Sequence, residues 1–539
     1  MSARLTASVE ARRSRALGTV TAVLFLTFID TTIVSVALAD IQSTLHAGVT
    51  SLQWVVNGYA LVFASLMLTF GTLGDRVGRK RIMLAGVAVF AAGSLLGALA
   101  TNVATLIAAR AIMGVGAAAS EPGTLSVIRH LYPERQRRAR ALGAWAAVSG
   151  LALALGPVFG GVLVGIGGWR NVFWFNLAAG VVVFVSALTT VPESADPLAA
   201  RFDLRGSLLG PAALATVIFA IIFGEESGYG APWIVALFAI SAVLFGLFFA
   251  AEYRSAAPLL DVRYLRRPAF SGALGIAFAA YFGIFSIFFF TALYLQVVVG
   301  YSGYRTAALF GPMAAAMIVA SVLSGRWVAH VGPRVPMAVG CFAAGLGILL
   351  TDAALSGHPV RFAVLAAPLA LSGLGFGIAV VPVTSVALAV VPPQHSGMAA
   401  SATTTSRVLG SVVGVAVLGS VVNSHLTVHL TQRLTELGVP PSFQGLVITA
   451  VEEGQVPKGS GAASAEQTYG PIVARVIDAA YGAFRSGLNV SLIVAGCVIL
   501  GSAVVAWLTL SGSRDPAYDE DSSECLTDST PKASQSTQR

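Results

Sequence analysis

Charge is the scarcest ingredient of this sequence. Asp, Glu, Lys and Arg make up 11% of its 539 residues, where a soluble globular chain carries roughly 25%. That leaves too little polar surface to coat a folded body of this size, which excludes a soluble enzyme, a disordered protein and a nucleic-acid-binding domain. The net charge of +8 does not bring nucleic acid back as a partner, because the basic residues stand in short clusters between apolar runs. Cysteine is nearly missing as well. Cys341 and Cys497 lie inside apolar runs and Cys525 in a polar tail, so neither a disulfide framework nor a metal site can be built from them. There is no G-x-x-x-x-G-K-[ST] phosphate loop, so energy for any work must come from a gradient. The seven His residues form no metal motif and no loop nucleophile is recognisable. No metal, no cofactor and no enzyme activity are expected.

What the chain has in abundance is apolar length: 56% hydrophobic residues and a mean hydropathy of +0.80. A helix needs about 20 apolar residues to cross the hydrocarbon. That ruler finds fourteen runs, near 17–38, 52–72, 82–100, 103–124, 141–164, 171–191, 207–224, 233–251, 270–297, 306–328, 335–354, 362–388, 398–422 and 488–510. The expected fold class is an all-α integral membrane protein with fourteen transmembrane helices. Lys and Arg then orient it. Alternate loops hold Arg12, Arg13 and Arg15, then Arg76–Arg81, Arg129–Arg140, Arg201 and Arg205, Arg254–Arg267, and Arg326 and Arg334, while the intervening ones offer little more than Arg170, Arg305 and Arg361. Both termini are therefore expected in the cytoplasm, and the span number must be even. A cleaved signal over residues 1–39 is disfavoured, since Asp30 interrupts its apolar stretch and its removal would leave an odd number.

The segment Gly71-Thr-Leu-Gly-Asp-Arg-Val-Gly-Arg-Lys80 returns in worn form as Gly325–Arg334, offset by 254 residues. Two similar halves around a central cavity are the usual build of a secondary transporter. The offset exceeds six spans, so two extra spans are read as inserted between the halves. The resulting division is a cytoplasmic N-terminus over 1–16, a six-helix half over 17–191, a linker with two extra helices over 192–269, and a second six-helix half over 270–510. That second half includes an external loop over 424–486, and a disordered cytoplasmic tail follows over 511–539.

In the first copy, Gly71, Gly74 and Gly78 permit a tight turn between close-packed helices. Asp75, with Arg76, Arg79 and Lys80, can form charge pairs that hold one arrangement; the alternative is a simple positive loop. This segment resembles the loop signature of the major facilitator superfamily. Phe28–Leu38, Gln53–Tyr59, Trp169–Asn176, Tyr294–Gln296 and Gly410–Gly414 narrow the resemblance to its fourteen-span drug:proton antiporters. Ala39 stands where that family usually has Pro, and Met113 where it has Gln in Arg110-Ala-Ile-Met-Gly-Val-Gly116. Gly156-Pro157-Val-Phe-Gly160-Gly161 breaks the helix ladder and lets backbones approach. It resembles the motif that marks exporters among facilitators.

Charges within spans are costly and usually functional. Four stand out: Asp30, Arg110, Glu121 and Arg407. Asp30 is read as the proton-coupling carboxyl, with a structural hydrogen bond as the alternative. Arg110 and Glu121 are eleven residues apart on one helix face, about 16 Å along the axis, and so cannot touch. Glu121 is either a proton or cation site or a solvated rim carboxylate. Arg407 is read as snorkelling to the headgroups. The phenylalanines at 282, 285 and 288–290 are read as lipid-facing bulk, with a greasy cavity as the alternative. The resemblance implies a proton-coupled exporter of a lipophilic or cationic antibiotic-like compound, working by alternating access in a bacterial plasma membrane. Its partners would be a small-molecule drug or secondary metabolite, protons and the bilayer, and it would act as a monomer. Nutrient uptake by symport and a non-transporting membrane sensor are the rival readings.

Overall fold

The structure, a computed structural model, describes residues 2–194, 203–255, 258–356, 362–391, 396–441, 444, 445, 447, 448 and 471–510. The tail 511–539, with Cys525, and the central part of the segment 424–486 lie outside the described residues. Helices follow one another in this order: α1 Ser2–Ile33, α2 Leu38–Leu45, α3 Val49–Val77, α4 Arg79–Ala98, α5 Val103–Ser120, α6 Pro122–Leu131, α7 Arg135–Gly167 and α8 Arg170–Thr190. Then come α9 Leu204–Ser227, α10 Pro232–Arg254, α11 Pro268–Ser286, α12 Ala292–Val297, α13 Gly303–Val331, α14 Arg334–Leu355, α15 Phe362–Ala389, α16 Ser396–Glu436 and α17 Pro471–Thr509. A π-helical turn, Ile287–Thr291, joins α11 to α12. No strand occurs among the described residues.

Thirteen stretches among the described residues are long and apolar enough to cross a membrane. The expected second span, 52–72, lies on the 29-residue helix α3, which is not one of the thirteen. The outward faces are greasy, with Ile166, Val182 and Leu508 at least 65% exposed, as lipid in place of water requires. Two expected boundaries come out differently. The span expected over 103–124 continues through α6 to Leu131, with a break at Glu121. Helix α16 runs 41 residues, far past 422, and α17 begins at Pro471, so helix enters the expected loop 424–486 from both sides.

Helices α1 and α3–α8 form one packed set and α11–α17 another. The repeated motif occupies matching places in the two. Gly78 joins α3 to α4 with φ +124°, and Gly332 ends α13 with φ +75°, two residues before α14. Only a residue without Cβ adopts such angles freely. Helix α9 packs against both α3 and α16, so it straddles the two sets, and α10 packs on α9. Trp54 of α3 meets Phe219 and Phe223 of α9 at ring distances of 5.7 and 6.0 Å.

Several of the contacts that join the two sets lie at the end away from the Arg-rich loops. There the Gln296 side-chain amide donates to the Val36 carbonyl at 2.9 Å. A Cβ on Gly303 would lie 2.8 Å from the Gly161 carbonyl, and one on Gly165 would run into the Tyr304 ring. Glycines here let two backbones touch, which is how membrane helices pack without a hydrophobic drive.

Candidate functional site

The local chain explains where each charged side chain sits. In α5, Gly114 lies against the Tyr59 carbonyl of α3 and Gly116 against the Phe90 backbone of α4. That close approach brings Arg110 under α3, where its Nε donates to the Val55 carbonyl at 2.9 Å. Its Nη1 meets Asp30 Oδ2 at 2.5 Å, and its guanidinium lies 4.4 Å from the Tyr59 ring centroid. Asn176 of α8 donates to Asp30 Oδ1 at 2.6 Å. Asp30 and Arg110 are completely buried. The structure therefore brings together Asp30, Arg110, Asn176 and Tyr59.

Glu121 is elsewhere. Pro122 has no N–H and starts a new helix, so the span breaks there. The Glu121 carbonyl accepts the Thr124 hydroxyl at 2.6 Å and the Thr124 amide at 2.9 Å. Its carboxyl, by contrast, is buried with no hydrogen-bond partner on either oxygen among the described residues. It is no solvated rim carboxylate. The opposite charge within its electrostatic reach is Arg407, from the other set of helices.

Arg407 does not snorkel. Only 3% of it is exposed; its Nη2 donates to Thr384 Oγ1 at 2.7 Å and to the Val380 carbonyl at 3.3 Å, and its Nε has no partner. Its position follows from Gly410 and Gly414, which press α16 onto the Phe278 and Phe282 backbones of α11. Tyr281 of α11 then lies beneath the guanidinium, 5.8 Å from carbon to ring centroid. The phenylalanines at 282, 285 and 288–290 are also buried, at most 5% exposed, and so are not lipid-facing. Residues 279–296 are buried on every face, so these rings are enclosed whichever way they point.

The Gly156-Pro157-Val-Phe-Gly160-Gly161 segment is a three-way seam. Gly156 and Gly160 press on Thr32 and Ile33 of α1, and Gly161 on Gly303 and Ala307 of α13. Pro157 removes the bond to the carbonyl four residues earlier, and the Thr32 hydroxyl donates to that carbonyl, Leu153 O, at 3.1 Å. In the loop motif, the Lys80 amide donates to Glu193 Oε1 at 3.2 Å and its ammonium to the Leu188 carbonyl at 2.7 Å. Arg81 pairs with Glu193 at 3.5 Å, both exposed, so that pair is worth little in energy. Gly71 lies against Pro122, and Arg76 is exposed. The Asp75 side chain lies outside what is described.

One cluster went unread in the sequence. Asp352 of α14 accepts from Arg485 at 2.7 Å and from Asn489 at 2.6 Å, both on α17. Arg485 precedes the apolar run that begins near 488, so a hydropathy ruler assigns it to a loop. Its approach to a residue 133 positions away leaves no local signal.

The Major Facilitator Superfamily profile matches residues 20–415. The chain belongs to that superfamily. Its relatives among facilitators include "Multidrug resistance protein Stp" of Mycobacterium tuberculosis, 36% identical over 74% of this chain and 73% of that one. "Drug efflux pump JefA" of the same organism is 31% identical over 90% of this chain and 95% of its own. "Tetracenomycin C resistance and export protein" of Streptomyces glaucescens is 29% identical over 92% and 91%. The facilitator fold is also matched by a bacterial homologue of the human lysosomal transporter Spinster. That match has a TM-score of 0.63 and 18% identity, covering 94% of this chain and 99% of that one.

Proposed function

We propose that this facilitator is a proton-coupled exporter of an antibiotic-like small molecule, acting by alternating access in a bacterial plasma membrane. The observation that carries the reading is Glu121: a buried carboxyl without a hydrogen-bond partner among the described residues, whose opposite charge, Arg407, belongs to the other helical set. Relatives named for drug efflux and antibiotic resistance support the outward direction, as does the Gly156–Gly161 seam. The work comes from the gradient: a proton crossing about 100 mV yields about 2.3 kcal/mol. Glu121 is the proposed proton-coupling carboxyl, and the Asp30–Arg110 pair is a separate buried ion pair that holds α1 to α5. Supporting that division, both Asp30 oxygens are already engaged, by Arg110 and by Asn176. The protein works without a cofactor and catalyses no covalent chemistry. Deleting the gene tests the direction. Cellular content of the exported compound should rise; a fall would instead mean uptake.

The orientation is fourteen spans with both termini in the cytoplasm, which puts the Gly161–Gly303 seam outside and the Arg-rich loops inside. A cysteine at Ser460, outside the described residues, should react with an impermeant thiol reagent in intact cells. Labelling only after lysis would sink the topology.

Alternating access requires the outer seam to part. A Cβ on Gly303 would stand 3.5 Å from Val164 Cβ, within disulfide range. With Cys341, Cys497 and Cys525 replaced, the pair Val164→Cys and Gly303→Cys should oxidise readily; the added Cβ also presses on the Gly161 carbonyl at 2.8 Å, so the reduced pair should transport more slowly than the parent, and oxidation should arrest what remains. Full transport by the cross-linked protein would refute a moving seam.

A further inference from the structure

We infer that Asp203 and Glu252 form a proton-binding site at the foot of the α9–α10 hairpin, holding one proton between them, and that this proton clasps the hairpin to the second helical set. The inference goes beyond the export reading and shares with it only the orientation that puts this foot in the cytoplasm.

Both carboxyls stand just outside the apolar runs over 207–224 and 233–251. Asp203 caps α9, its Oδ1 accepting the Gly206 amide at 2.9 Å. Glu252, near the end of α10, accepts the Leu260 amide on Oε2 at 2.9 Å. Each acid therefore has one oxygen held by backbone. The other oxygen of each, Asp203 Oδ2 and Glu252 Oε1, is buried with no donor among the described residues, and Glu252 as a whole is 2% exposed. These two unfilled oxygens converge on Gly206. A Cβ there would collide with Glu252 Oε1 and stand 3.1 Å from Asp203 Oδ2 and 3.2 Å from the buried Leu259 side chain. A residue without Cβ is what lets the two acids come this close.

Among the described residues neither acid has a cationic partner; the charged neighbour acting on Glu252 is Asp203 itself. Arg205 on α9, Arg254 on α10 and Arg263, Arg266 and Arg267 beyond it are all exposed. Arg263 and Arg267 lie over the rings of Tyr253 and Tyr264, and Asp261 accepts the Arg263 amide at 3.0 Å. Two carboxyls that share such a place cannot both stay ionised, and they keep one proton between them. That proton gives both unfilled oxygens a partner at once and leaves both backbone bonds intact. A divalent cation would need about six oxygens or more, and no third acidic, His or Cys ligand joins the pair among the described residues. The clasp reaches further along the chain. The Asp261 amide donates to Met398 Sδ at 3.2 Å and Arg267 Nη1 to the Val390 carbonyl at 2.7 Å, where α15 gives way to α16. The closed clasp holds its proton more tightly than the open one, so it is complete in acid and is lost as cytoplasmic pH rises. With both acids ionised, repulsion drives Glu252 off Gly206 and loosens its hold on Leu260.

Hydrogen exchange of the full-length protein in nanodiscs tests this, followed over residues 258–267 from about pH 5 to about pH 9 and corrected for the intrinsic pH dependence of exchange. Protection of this segment should fall on the order of tenfold or more as pH rises. Glu252→Gln and Asp203→Asn should each keep it protected at every pH, because the amide donates to the remaining carboxylate as the proton does and still accepts from backbone. Gly206→Ala should leave it unprotected at every pH, since the Glu252 carboxyl must move off the new methyl group. Glu121→Gln should show the parent's profile, which separates this proton from the coupling one. Protection of α14 reports whether each variant is folded. A flat profile in the parent, a parent-like profile in both amide variants, loss of the profile in Glu121→Gln, or opening of the segment by a chelator in acid would overturn the inference. Cellular content of the exported compound judges the export reading independently, so either can fail without the other.

Discussion

Glu121→Gln should cut proton-driven efflux at least tenfold while leaving the protein folded and able to exchange substrate across the membrane without a gradient. The carboxyl bonds nothing among the described residues, so replacing it with an amide of the same shape breaks no contact. What it removes is the capacity to gain and lose a proton, and with it the negative charge that Arg407 feels. Coupling and binding therefore separate in the two assays: gradient-driven efflux collapses and substrate counterflow persists. Undiminished gradient-driven efflux would remove Glu121 from the proton path and return the role to Asp30.

Asp30→Asn should behave differently, chiefly as a loss of stability. Removing one partner of a buried ion pair leaves the other charge uncompensated and costs about 3–5 kcal/mol. Arg110 would keep its bond to the Val55 carbonyl and its place against Tyr59, but not its counter-charge. Thermal unfolding in detergent should show a marked fall for Asp30→Asn. The double variant Asp30→Asn with Arg110→Met should recover much of it, because the orphaned charge goes too. If Asp30→Asn melts like the parent yet no longer releases protons on binding substrate, the pair is a coupling element and its structural account is wrong.

These two predictions divide between carboxyls that look alike in the sequence. Each is a lone acidic residue in an apolar run, and nothing around Asp30 or Glu121 distinguishes a filled hydrogen-bonding shell from an empty one. The difference comes from residues far away in the chain: Arg110 and Asn176 lie 80 and 146 positions from Asp30, and Arg407 lies on the other helical set from Glu121. Depth in the bundle is hidden from the sequence for the same kind of reason. Arg407 near the start of an apolar run looks free to reach the headgroups, until Gly410 and Gly414 draw α16 onto α11 and close it in. The burial of Phe288–Phe290 comes from helices packed all round this stretch, which hydropathy alone does not tell from lipid all round it.

Composition and periodicity settle the solvent and the scaffold. Low charge and apolar length demand helices in a bilayer, because lipid satisfies no backbone group and each span must bond itself. Basic loops imply a direction, the repeat of Gly71–Lys80 at Gly325–Arg334 implies two related halves, and the Gly-Pro segment at 156–161 marks a close seam; all of these are local or periodic signals. Only the tertiary structure decided which side chains meet: that Asp30 is held from two sides, that Glu121 is held from none, that Arg485 closes on Asp352, and that α9 lies across α3 and α16. Hydropathy and spacing cannot encode those pairings, since helices in lipid choose neighbours by the shape of small-residue surfaces and by single polar contacts, and both are properties of faces brought together rather than of any one stretch of chain.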